Sequence, residues 1–201
     1  MSSARSALCS TGHPFKDDQG APDASNLEVA NDLYDAFART DAQRLLELLH
    51  PEFVGHVSEG MPDGVGGTHV GPKAMLTEVW TPVALRFGSR PVPERFLSCD
   101  DGDVVVTGSY IGQPPGSEEQ LMAAFAHVLE FRDGRIVELR QITDTQRWSE
   151  AADDLDIKLV RRMFEAVEKR DAEALLSTYA QNVVITEATS WVCPINCVGS
   201  G

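Results

Sequence analysis

His127 and Asp144 are the residues of this chain best suited by type to move a proton, since an imidazole titrates near neutral pH and burial can raise a carboxylate toward it. His127 alternates in phase with Phe125 and Leu129, and Asp144 with Ile142 and Arg140, so each is expected to point inward from a strand. His56, Trp80, Tyr110 and Phe125 are candidates for the wall of the same pocket. Plainer readings stand beside these: a strand histidine satisfied by one neighbour, and an aspartate that caps or ion-pairs where the last strand leaves its sheet.

A different chemistry is offered by the C-terminal segment, where Thr189, Ser190, Cys193 and Cys197 lie close together. Loss of water from Thr189 or Ser190 makes an α,β-unsaturated amide, and a thiolate of Cys193 or Cys197 can add to it to close a thioether ring. Such a segment behind a folded region resembles the leader-plus-core layout of ribosomally made, post-translationally modified thioether peptide precursors. That resemblance implies a precursor presented to peptide-modifying enzymes. The competing explanations are a frameshifted remnant or cloning residues, a disulfide, and a soft-metal site, for which Cys-x-x-x-Cys alone is a weak signal.

Other motifs carry less. His50, His56 and His69 have no metal-ligand spacing. The stretch Gly60 to Gly71 lacks the Gly-Lys-Ser/Thr ending of a phosphate loop, and no serine sits on a nucleophile turn. Neither a metal nor a cofactor is expected.

The elements that must position these residues can be read from apolar period and turn chemistry. Residues 1–25 show no apolar period and are expected to form a disordered arm. A helix pair follows from Asn26, its second member opening after Asp41 and ending at Pro51. Phe53 to Glu59 reads as a strand, residues 60–71 as a loop, and Pro72 to about Phe87 as a helix that Pro82 should kink. Strands are expected at Arg95 to Cys99, Val104 to Ile111 and Ala123 to Phe131, the last joined through Asp133-Gly134 to Arg135–Ile142 as a hairpin. This order implies an α+β fold, a cone-shaped curved antiparallel sheet covered by helices. The helix pair LYDAFARTDAQRLLELLHPEF and the stretch FAHVLEFRDGRIVELRQITDTQRWSEA resemble the SnoaL-like branch of the nuclear transport factor 2 superfamily over residues 26–150. The resemblance implies a pocket between helices and sheet, a small apolar ligand, acid and base roles for Asp144 and His127 in an isomerase, cyclase or epoxide hydrolase, or else a binding module without turnover. It also permits a homodimer.

An internal repeat follows. Leu33 matches Met163, Asp41-Ala42 matches Asp171-Ala172 and Leu45-Leu46 matches Leu175-Leu176, each pair 130 positions apart (163 minus 33). Residues 154–187 therefore read as the start of a second cone domain, a helix pair plus one strand that stops short, leaving 188–201 as a flexible tail. A formal charge of −14 disfavours nucleic acid and anionic membrane as partners. With no secretory signal and no spanning segment, the expected location is the cytoplasm. The first reading of function is thus a precursor whose cone domain serves as leader, and the alternative is a small-ligand enzyme or binding module.

Overall fold

The computed structural model describes residues 24–179. The expected arm, the strand of the second repeat, and Thr189, Ser190, Cys193 and Cys197 lie outside them. The described residues divide into two compact units, with the boundary after Leu155.

The first unit opens with α1 (Ala24–Arg39) and α2 (Ala42–Leu48). Leu33, Ala36, Leu45 and Leu48 recur at helical spacing and are all buried, which is the stripe a helix needs in order to pack on one face. The chain turns between the two helices at Thr40, in the left-handed region with φ 56°, and Asp41 then caps α2 by accepting the Arg44 N–H at 2.9 Å. An ion pair between Arg44 and Asp32 at 2.5 Å links the helices, and it holds the Asp32 carboxyl below its ordinary range.

Six strands form one sheet in the order β2-β1-β6-β5-β4-β3. They are β1 (Leu49–Val57), β2 (Gly67–Val70), β3 (Ser89–Ser98), β4 (Val104–Gly112), β5 (Leu121–Arg132) and β6 (Arg135–Thr143). Every neighbouring pair is antiparallel except β1 with β6, which run parallel, so the sheet is mixed where an antiparallel one was expected. β1, which enters from the helix pair, lies second from one edge, between β2 and β6, and β6 reaches its side from the β5 hairpin. That hairpin turns at Asp133 and Gly134, with φ 51° and 70°, the positive values that a two-residue turn of this hand requires.

Three strands differ from the expectation for a physical reason. β1 begins at Leu49, four residues before Phe53, and runs through Pro51, which was expected to end the helix; α2 already stops at Leu48, and the pairing of β1 with β6 is interrupted between Leu49 and Val54, where the proline lies. β3 begins six residues before Arg95 because Pro91 and Pro93 are tolerated on a sheet edge, where their missing N–H has no ladder partner to lose. β2 lies within the glycine-rich stretch, too short to show an alternation of its own. Between them run α3 (Pro72–Ala74), a π turn (Met75–Trp80) and α4 (Thr81–Phe87). Pro82 lacks an N–H and crowds the carbonyl four residues back, and the widened turn just ahead of it absorbs that demand without ending the helix.

After β6 the chain enters α5 (Thr145–Lys169). Its first turn carries Trp148, fully buried against Phe87 and Tyr110, with the indole N–H donating to Thr143 Oγ1 at 3.1 Å. Beyond Leu155 the second unit continues along α5 to Lys169 and, after a turn, α6 (Ala172–Leu176). Among the described residues no helix is long and apolar enough to cross a membrane.

Candidate functional site

A cavity of about 430 Å³ lies in the first unit, walled by α1, α2, the α3–α4 segment and the inner face of the sheet. Most of its wall is apolar: Phe37, Leu45, Met61, Leu76, Val79, Trp80, Val83 and Pro91 contribute side chains. The polar residues of the wall are Thr40, Thr81, Ser89, Tyr110 and Gln141, and Arg90 is the one charged residue on it among the described residues. A cavity of this size with a few convergent polar groups suits a small organic molecule.

Behind Tyr110 runs a buried chain of hydrogen bonds. Tyr34 Oη lies 2.8 Å from His127 Nδ1, and Tyr110 Oη lies 3.0 Å from His127 Nε2. Gln141 Nε2 donates to Tyr110 Oη at 2.8 Å, and Gln141 Oε1 accepts the Ser58 N–H at 3.3 Å. Each element supplies its member through alternation: His127 and Phe125 share the inner face of β5, Tyr110 that of β4, and Gln141 that of β6. Phe125 stacks on the His127 ring with centroids 4.3 Å apart and planes inclined by 27°, and Tyr34 comes across from α1.

Burial decides the charge state of this chain. With no opposite charge beside it, His127 is only 3% exposed and desolvation drives its pKa down from 6.5 to about 3, so the ring is neutral. The same desolvation raises both tyrosine hydroxyls above their ordinary value, and they remain phenols. Neutral imidazole between two neutral phenols is a fixed hydrogen-bonding array, not a reservoir of charge.

The expected site residues separate. Trp80 and Tyr110 are on the cavity wall, Phe125 is packed in the core behind Tyr110, and His127 is one layer further back. His56 is not in the pocket: it sits on the opposite face of β1 from Phe53, Gly55 and Val57, beside Thr68 and Glu138. Asp144 does not join His127 either. It is exposed beyond the end of β6, and its carboxylate accepts the Arg147 N–H at 3.4 Å at the start of α5. The phase expected from Ile142 and Arg140 is the outer one, since Ile142 is 56% exposed and the inward residue between them is Gln141. An apolar residue on the outer face gave the alternation the wrong sense. Tyr34, Ser89 and Gln141 were not anticipated; Tyr34 has the helical spacing of the buried stripe, but nothing in the sequence pairs it with a histidine 93 residues away. Among the described residues no group of acidic, histidine or cysteine side chains is arranged to hold a metal ion.

Comparison with known proteins agrees with this architecture. Residues 30–139 match the model of a SnoaL-like domain. The chain belongs to the SnoaL-like family. No curated protein matches it in sequence. Among solved structures, TerC co-crystallised with polyporic acid is 27% identical with a TM-score of 0.58, covering 65% of this chain and 99% of that one. Bal32a, from a soil-derived mobile gene cassette, is 25% identical with a TM-score of 0.57, covering 63% and 95%. A nuclear transport factor 2-like protein of unknown function from Burkholderia pseudomallei is 26% identical with a TM-score of 0.56, covering 61% and 93%. The SnoaL-like unit is thus the α+β fold with a curved mixed sheet, and these matches cover it at nearly the full length of each relative.

Proposed function

We propose that the SnoaL-like unit binds one small, mostly apolar molecule in the cavity walled by Trp80, Leu76 and Tyr110. The observation that carries this reading is the cavity itself, about 430 Å³ of largely apolar wall ending in a few polar side chains. Co-crystallisation of the similar TerC with polyporic acid supports a small organic occupant. The catalytic version of this reading, an isomerase, cyclase or epoxide hydrolase, draws no support from Asp144 and His127, because one caps a helix in solvent and the other is held neutral behind Tyr110. The precursor reading depends on Thr189, Ser190, Cys193 and Cys197, and a formed cavity is not something a leader needs.

Equilibrium dialysis of the full chain against 2-isopropenylnaphthalene, a hydrocarbon with no strong hydrogen-bonding group, tests the reading. Saturable binding is expected, weakened about tenfold or more by Leu76→Trp, which fills the cavity. A probe that does not saturate, or binds the Leu76→Trp protein equally well, sinks it.

A further inference from the structure

The hydrogen atoms of the buried chain can be counted, and the count leaves one over. Ser58 N–H donates to Gln141 Oε1, which fixes the amide so that its Nε2 faces Tyr110 and donates to the phenol oxygen. The reversed amide would set two donors against each other at Ser58. A neutral imidazole carries one N–H, leaving two arrangements for His127. If Nδ1 holds the hydrogen, it donates to Tyr34, and the phenolic hydrogen of Tyr34 then has no acceptor among the described residues. Tyr34 is buried and off the cavity wall, so that hydrogen would be stranded, a loss comparable to a full desolvation penalty. If Nε2 holds it, Tyr34 donates to Nδ1, and His127 donates to Tyr110, whose oxygen then accepts from both His127 and Gln141. The surplus hydrogen is now that of Tyr110, a residue of the wall.

From this we infer that Tyr110 offers its O–H to the cavity as a preset hydrogen-bond donor, and that the occupant is a molecule with a carbonyl oxygen at the end of an apolar body. Three neighbours impose the donor role: Tyr34 sets the imidazole, His127 fills one acceptor direction on the phenol, and Gln141 fills the other. A buried hydroxyl with both acceptor sites occupied discriminates against occupants that can only donate. A carbonyl oxygen, which accepts and cannot donate, is the group that such a hydroxyl donor would recognise.

This inference rests on the cavity being a binding site, and the test separates the two. Full-length protein is dialysed against 2-acetylnaphthalene and against 2-isopropenylnaphthalene, which has nearly the same shape with a methylene in place of the oxygen. The ketone is expected to bind about five- to tenfold more tightly, the worth of one good hydrogen bond, and in Tyr110→Phe the ratio of ketone to hydrocarbon affinity, each measured on that same variant, is expected to fall to about one. Infrared spectra of the bound ketone give a readout independent of any variant, because a donated hydrogen bond moves the carbonyl stretch to lower frequency than in a hydrocarbon solvent. Equal affinities with an unshifted stretch overturn the donor assignment and leave the cavity reading standing. Failure of the hydrocarbon to bind saturably overturns the cavity reading and this inference with it.

Discussion

The α1–α2 corner and the α5–α6 corner, 130 positions apart, are made by the same hydrogen bonds and end in different surroundings. Thr40 N–H reaches Phe37 O at 3.1 Å, and Arg170 N–H reaches Val167 O at 3.1 Å. Asp41 and Asp171 each donate to the alanine carbonyl five residues back at 2.9 Å, and each caps its helix by accepting a backbone N–H at 2.9 Å. Thr40 and Arg170 adopt φ of 56° and 53°. Yet Leu33, Tyr34, Ala36, Leu45 and Leu48 are buried, whereas of their matched residues only Ala166 is: Met163, Leu175 and Thr178 are half-buried and Phe164 is 60% exposed. The salt bridge that ties α1 to α2 has no counterpart, because Arg162 and Ala174 stand where Asp32 and Arg44 do. A helix–turn–helix corner is therefore written in about a dozen local residues, but its burial is conferred by a sheet that arrives much later in the chain.

The largest effect that would sharpen this contrast is on core packing. Leu33→Ala should cost about 2–5 kcal/mol in chemical denaturation, the usual range for a buried large-to-small change, while Met163→Ala at the matched position should cost under about 1 kcal/mol. Equal costs would mean that the second corner is covered in solution, and the contrast would fail.

Acid sensitivity should also belong to the first corner alone. Tyr34 of α1 holds His127, whereas Phe164 at its matched position holds no titratable group. An unfolded chain protonates this histidine near 6.5, but the folded one resists until about 3, so the unfolded state binds more protons throughout that window. The stabilisation is complete above pH 6.5 and falls by roughly 1.4 kcal/mol for each pH unit below it. Asp103 opposes this: burial, then the charges of Asp101, Glu130 and Glu138, lift its pKa from 3.8 to about 6, so its contribution is present at low pH and is lost as pH rises through about 6. The discriminating quantity is thus the difference between the native protein and His127→Gln, whose stability should be flatter between pH 4 and 6.5. Parallel profiles would show that the ring takes up a proton without unfolding.

The same division governed what could be read from residues alone. Most element types, the hairpin at Asp133-Gly134 and the cap at Asp41 depend on neighbours within a few positions and were legible, whereas β2 was hidden in the glycine-rich stretch read as a loop. The inward direction of β5 was legible too, because His127 sits among Phe125 and Leu129. On β6 it was not, since a register shift between β5 and β6 and an outward Ile142 reversed the phase that Asp144 was given. The parallel pairing of β1 with β6, and the meeting of Tyr34, His127, Tyr110 and Gln141, join segments far apart in sequence and have no local signature. Trp80 and Tyr110 could be placed near a pocket by type, whereas Gln141, an ordinary polar residue in type, acquires meaning only from its partners.

Smaller effects test whether the corners are equal as local structures. Asp41→Ala and Asp171→Ala each remove a cap worth about 1 kcal/mol. In the first corner this loss should appear in global unfolding, because α2 is part of the core. In the second it should appear only as faster amide exchange in α6, with the denaturation midpoint unchanged. A global loss from Asp171→Ala would place α6 in the cooperative unit.

The smallest effect concerns the two left-handed residues. Threonine is β-branched and crowds its own backbone at positive φ more than arginine does, while asparagine adopts this conformation at less cost. Thr40→Asn should therefore raise stability by about 0.5–1 kcal/mol, and Arg170→Asn by less, the gain again confined to exchange rates in α6. Both gains follow from backbone strain, which the corners share, and their readouts differ through burial, which they do not. If Thr40→Asn instead destabilises the protein, the Thr40 side chain, which lies on the cavity wall, contributes more by its packing there than it loses by its backbone. The two corners would then differ in their turn residue as well as in their cover.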